Sequence, residues 1–184
     1  MDKKAEILVV VDMQRDFVDA ALGTREAVAI LPAVVAKIEE YKARGAVIIA
    51  TQDTHEENYM DTSEGKHLPV IHCVRGTDGW QLHPAVAAAL PETAIVLEKP
   101  TFGSTALVEK VGEYVKEYGQ ENVSVELIGI CTDICVVSNA LLLKANFYEM
   151  PLSLDAACCA GVTPESHNAA LTTMTMCQIE VNNR

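Results

Sequence analysis

The chain has 184 residues, 49% of them apolar and 22% charged, and carries a net charge of −12 from 14 Lys and Arg against 26 Asp and Glu. That mixture suits one globular domain, residues 1–184, with a core large enough to fold without covalent staples. No basic cluster is present to neutralise phosphates, which argues against nucleic acid as a partner. The run "ILVVVDMQRDF" is apolar for only five residues before its first acid, too short for a signal segment or a membrane span, so the reading is a cytosolic protein with no membrane partner.

Apolar runs rich in β-branched residues alternate with helical patterns along the whole chain. "EILVVVD" (6–12) predicts a central strand buried on both faces. Residues 27–45 follow with helical spacing, placing Ile30, Val34, Ile38 and Tyr41 on one face, Pro32 in the first turns and Gly45 as the stop. A second strand is expected over 46–51, then a long polar stretch without periodicity over 52–80. "HPAVAAAL" (83–90) predicts a short helix, "AIVLEK" (94–99) a third strand, and 104–119 a helix capped by Ser104 or Thr105. Strand 123–130, helix 133–146, strand 148–156, helix 163–176 and strand 177–181 complete the series. This alternation implies an α/β, doubly wound three-layer αβα sandwich around a six-stranded, mostly parallel sheet.

In such sheets ligands bind at the carboxyl ends of strands, near the point where strand order reverses. The polar residues just after strands are Asp12, then Asp53 and His55, then Lys99, then the segment Cys131 to Cys135, and all should face one rim. Six cysteines are too few for a disulfide scaffold; in a reducing compartment they are buried small residues, metal ligands or nucleophiles. Cys135 should open a helix, where free N–H groups and the helix dipole favour a thiolate. A cysteine there is equally at home as a core residue. Asp12 and Lys99 shift the balance, because each ends an apolar strand, a costly place for a lone charge. Converging beside a thiol, they could lower its pKa and take its proton. A buried Asp–Lys ion pair without a catalytic part is the plainer alternative.

The stretch 52–80 carries Asp53, His55, Glu64, His67 and His72, a mixed imidazole and carboxylate set that could hold a metal ion. Acidic loops with histidines are commonly just solvated, but a loop of this length without periodicity is usually functional or disordered. Phe17 and Trp80 are aromatic candidates for packing on a flat substrate ring, or for plain core packing. Cys158 and Cys159, expected to follow the fifth strand, read as packing residues.

Taken together, "VVVDMQRDF", "LEKPTFGS" and "LIGICTDICV" resemble the three motifs of the isochorismatase-like cysteine hydrolases, in particular the nicotinamidase branch, in order and over nearly the whole chain. The resemblance implies a catalytic triad of Asp12, Lys99 and Cys135 and a cis peptide at Ile130–Cys131. It also implies an oxyanion hole from the Cys131 and Cys135 N–H groups. It implies a divalent ion on Asp53, His55 and His72, with Glu64 as the remaining ligand and His67 as its rival. Zn²⁺ suits such ligands best, with Mn²⁺ or Fe²⁺ as alternatives. That ion would bind the ring nitrogen of a small-molecule amide, nicotinamide first, with another amide, carbamoyl or ureido compound as the runner-up. A non-catalytic member that binds metal or ligand is the reading from another class. The family habit of assembling implies a homo-oligomer whose neighbouring subunit could complete the pocket.

Overall fold

The computed structural model describes residues 4–184. Its elements run β1 (Ala5–Val11), α1 (Arg15–Val18), α2 (Arg25–Ala43), β2 (Val47–Asp53), α3 (Ser63–His67), α4 (Pro84–Ala89), β3 (Ile95–Lys99), α5 (Thr105–Tyr118), β4 (Val123–Ile130), α6 (Val137–Asn146), β5 (Leu152–Ala160), α7 (Pro164–Met176) and β6 (Glu180–Asn182). The six strands form one parallel sheet in the order β3-β2-β1-β4-β5-β6. Strand order reverses between β1 and β4, as expected of a doubly wound sheet.

The alternating side chains of β1 explain its all-apolar sequence. Ile7, Val9 and Val11 join one core with Leu107 and Val111 of α5, Ala140 and Leu143 of α6, and Leu171 and Met174 of α7. Leu8 and Val10 join the other core with Val34 and Ile38 of α2 and Val86 of α4. A strand covered on both faces has no polar side to show. Each of the buried Val, Leu, Ile and Met side chains contributes about 1.5–3 kcal/mol.

Several element boundaries differ from the sequence expectation. Helix α2 begins at Arg25, with the Thr24 side chain accepting from Ala27 N, so Pro32 lies inside the helix and not in its first turns. There its ring replaces a donor toward the exposed Val28, where water can serve the free carbonyl. Strand β5 runs from Leu152 to Ala160, four residues later than the pattern indicated, because an irregularity lets Leu154 and Cys159 pair with Leu127 and Gly129. Cys158 and Cys159 are therefore strand residues. Strand β6 starts at Glu180, after helix α7 and its cap at Cys177. The polar stretch after β2 contains a short 3-10 turn, Tyr59–Asp61, and helix α3. Ser104 is the cap of α5, accepting from Leu107 N.

Candidate active site

Asp12 follows β1 directly and has a φ of 48°, a left-handed conformation that Asp tolerates at some cost and that often marks functional positions. Thr51 holds it there: the Asp12 N–H donates to Thr51 Oγ1 at 3.2 Å, and the Thr51 hydroxyl donates to Asp12 Oδ1 at 2.7 Å. Lys99, the last residue of β3, reaches over β2 to the same place. Its Nζ lies 2.7 Å from Asp12 Oδ2, 3.2 Å from Asp53 Oδ1 and 3.0 Å from the Thr101 carbonyl. Cys135 Sγ is 3.5 Å from the same nitrogen. Asp12, Lys99 and Cys135 thus meet, although they come from three strands and are each almost fully buried.

Burial dominates the protonation of this cluster. It pushes the Asp12 carboxyl above its ordinary value, with Lys99 pulling the other way. Burial opposes the Lys99 ammonium, but Asp12, Cys135 and Asp53 outweigh it and hold the lysine charged. The Cys135 thiol is raised well above its usual range by burial and then by Asp12, and the lysine does not offset this. Lys99 does pull the thiol down, as the sequence led one to expect, but burial outweighs it.

Cys135 does not open an ordinary helix. Residues Thr132–Val136 form a single π turn that runs into α6, and π turns recur at functional sites. Two carbonyl contacts pin the turn, with the N–H groups of Ile134 and Val136 both donating to Cys131 O. The Ile130–Cys131 peptide is cis. Gly129, at a φ of 118°, lets β4 press on β1, since a Cβ there would lie 2.2 Å from Val11 O. Asn139, four residues beyond the thiol and so on its helix face, donates to Cys135 O at 2.8 Å and accepts from Ser104 N at 2.9 Å.

Asp53, His55, Glu64 and His72 come together as a possible metal-binding group, all four ligand atoms lying within 4.8 Å of one another. His55 Nε2 lies 2.9 Å from Asp53 Oδ2 and 3.7 Å from Glu64 Oε1, and His72 Nε2 lies 3.7 and 3.8 Å from the same two oxygens. Ligands about 2.0–2.2 Å from a tetrahedral ion stand roughly 3.3–3.6 Å apart, so little movement would close the group around one. The chemistry also fits. His55 Nε2 is buried and, among the described residues, has no partner in hydrogen-bond geometry. His72 Nδ1 lies 2.8 Å from the Val70 carbonyl, a bond that as a donor leaves Nε2 a lone pair for a metal. Asp53 divides its carboxylate between this group and Lys99.

Local structure presents each ligand. Glu64 rides on α3, capped by Thr62 Oγ1 accepting from Gly65 N. Gly65 lets that helix close on the preceding turn, since a Cβ there would sit 2.2 Å from Tyr59 O. The Tyr59 ring packs 4.7 Å from His55 and 5.0 Å from His72, centroid to centroid. His67, the rival ligand, turns its Nδ1 to Ser63 O at 2.7 Å on an exposed edge and stays outside the group.

Cys135, Cys131 and the four metal-site residues all line one cavity of about 800 Å³, as does Phe17, whose ring meets that of His72 edge-on at 5.4 Å. Trp80, the other aromatic candidate, is not in the cavity wall. Its indole N–H donates to Thr54 Oγ1 at 2.9 Å, and its carbonyl accepts from the side chains of Gln14 and Gln52. Trp80 is a brace behind the site. Sequence reasoning missed several supporting residues. Gln14 pairs with both backbone groups of Asp53, donating to its carbonyl at 2.8 Å and accepting from its N–H at 2.7 Å. Asp16 accepts from Cys73 N at 2.8 Å and ties the His72 segment to α1. The one usable signal was their place in a short polar run directly after a buried strand.

A family model described as the isochorismatase domain matches residues 6–183. The nicotinamidase/pyrazinamidase of Mycobacterium tuberculosis is 28% identical over 95% of this chain and 96% of its own. The structure of a pyrazinamidase of Pyrococcus horikoshii in complex with zinc superposes with a TM-score of 0.78 at 30% identity, covering 96% of this chain and 97% of that one. A nicotinamidase/pyrazinamidase from Bacillus subtilis shares the fold with a TM-score of 0.82 at 21% identity, over 97% of this chain and 100% of that one.

Proposed function

The chain belongs to the isochorismatase family, and from that membership we propose that it is a nicotinamidase, a cysteine-dependent amidohydrolase converting nicotinamide to nicotinate and ammonia. At the coarser level it is an amide hydrolase of that family. The observation that carries the finer reading is a thiol in the cavity wall backed by a lysine 3.5 Å from its sulfur and a carboxylate 2.7 Å from that lysine. The adjoining group of Asp53, His55, Glu64 and His72 supports it.

In the proposed reaction Asp12 accepts the Cys135 thiol proton as the sulfur attacks the amide carbon. A C–S bond forms, and the carbonyl oxygen, now anionic, is met by the N–H groups of Cys131 and Cys135. Asp12 then gives its proton to the nitrogen, the C–N bond breaks and ammonia leaves a thioester. Water attacks that thioester and loses one proton to Asp12; the C–S bond breaks, the thiolate regains that proton, and nicotinic acid departs, giving its remaining proton to solvent to become nicotinate. Lys99 stays charged throughout and balances the negative charge that passes between Asp12 and the sulfur. The raised pKa of Asp12 suits a carboxyl that must hold a proton between steps. A divalent ion held by Asp53, His55, Glu64 and His72, with zinc best suited to that ligand set, would supply a Lewis-acid anchor for the substrate's ring nitrogen.

Ammonia release from nicotinamide, assayed beside a panel of other amides, carbamoyl and ureido compounds, tests the reading. Faster release from a carbamoyl or ureido compound would keep the triad and replace the substrate. No release from any of them would leave a non-catalytic binding protein.

A further inference from the structure

The cavity exceeds the needs of a single-ring amide. Its volume of about 800 Å³ lies in the range that encloses drug-sized ligands. Away from the thiol and the metal-site group its wall is mainly apolar, with Phe17, Leu22, Leu68, Phe102, Ile134 and Val162 set among a few hydroxyl side chains and His67. Leu68, Phe102 and Val162 are also among the large hydrophobic side chains left exposed to solvent. Exposed apolar side chains gathered on one cavity gain most from a ligand that covers them.

Charge points the same way. Among the described residues, no lysine or arginine lines the cavity. Lys99, behind the thiol, is already engaged by Asp12 and Asp53. Asp53 and Glu64 bring two negative charges to the metal-site group, so a divalent ion there leaves no net positive charge. A carboxylate on the substrate would lose its hydration without gaining a free cation.

Resting on the nicotinamidase reading of this site, we propose that it takes uncharged aromatic carboxamides bearing an apolar ring substituent and refuses amides that carry a carboxylate. The apolar wall receives the substituent, and the lack of a free cation provides the exclusion.

The test measures ammonia release from nicotinamide, from nicotinamides ethylated in turn at each free ring carbon, and from the matching carboxylated compounds. The expected result is at least one ethyl compound with kcat/KM within about tenfold of nicotinamide or above it, and every carboxylated compound lower than that ethyl compound by about 100-fold or more. Val162→Arg and Leu68→Arg, each at an exposed position, should raise the carboxylated-to-ethyl ratio by about tenfold or more in at least one of the two variants. Turnover of nicotinamide with every ethyl compound more than about tenfold slower overturns the inference and leaves the nicotinamidase reading standing. A carboxylated compound that matches its ethyl partner, or an unmoved ratio in both variants, also overturns it. Ammonia release from none of the pyridine amides overturns the nicotinamidase reading itself.

Discussion

Two clusters in this molecule place a lysine between two carboxylates beside a cysteine. In the first, Lys99 lies 2.7 Å from Asp12 and 3.2 Å from Asp53, next to Cys135. In the second, Lys37 of α2 lies 2.8 Å from Asp155 and 3.4 Å from Glu126. There burial first, and Asp155 second, push the Cys158 thiol up to about 12. The ingredients match, but the surroundings do not. Around Lys37 the oxygens are taken up by neutral donors: Tyr41 O–H on Glu126 at 3.0 Å, and Ala157 N–H and the Asn183 amide on Asp155 at 3.0 and 2.9 Å. Cys158 sits within β5, away from the cavity, whereas Cys135 sits on a π turn in the cavity wall. An Asp–Lys–Cys grouping is therefore not a reaction centre by itself. It needs an open face for a substrate, and backbone N–H groups that are not spent in a sheet.

The largest effect that would sharpen this contrast is at the two thiols. Cys135→Ala should lower kcat for ammonia release by about 10⁴-fold or more, while Cys158→Ala should leave it within about twofold. Equal losses in both would break the distinction between the clusters. The carboxylates come next. Asp12→Asn should cost roughly 10²–10⁴-fold in kcat, with the fold retained by circular dichroism. Asp155→Asn should instead lower the melting temperature and leave kcat nearly unchanged, since it strands Lys37 and not a reacting group; its cost is on the order of 1–3 kcal/mol in denaturant titration.

The metal-site group gives the third comparison, within one short helix. Glu64→Ala should weaken Zn²⁺ affinity by more than about 100-fold in a competition titration, while His67→Ala should shift it by less than about threefold. The reverse order would show that α3 presents its histidine and not its glutamate to the ion. The smallest effect is expected behind the site. Trp80→Phe removes the indole bond to Thr54 and should cost about 1 kcal/mol of stability, with KM for nicotinamide unchanged. A raised KM without a stability loss would return Trp80 to the substrate.

The doubly wound sheet was legible in the sequence because strands buried on both faces must be apolar throughout, and those runs alternate with helical patterns. The same rule made Asp12 and Lys99 conspicuous, as charges ending apolar strands, and brought Asp53 and His55 onto the same rim as Cys135. Local chemistry also marked Ser104 or Thr105 as a cap, and Ser104 is the one that serves. Tertiary packing decided the rest. The extent of β5 depends on its pairing irregularity with β4, which no local pattern carries. Gln14 and Thr51 gain their places from strands brought alongside β1, and the fold sets Trp80 outside the cavity wall with its indole on Thr54. Glu64 rather than His67 joins the metal-site group because a capped turn and Gly65 aim α3 at His55 and His72. The state of the Cys135 thiol is the sharpest case. Sequence spacing pointed to a lysine that would acidify it; Lys99 does pull that way, and burial, which only the folded chain determines, outweighs it.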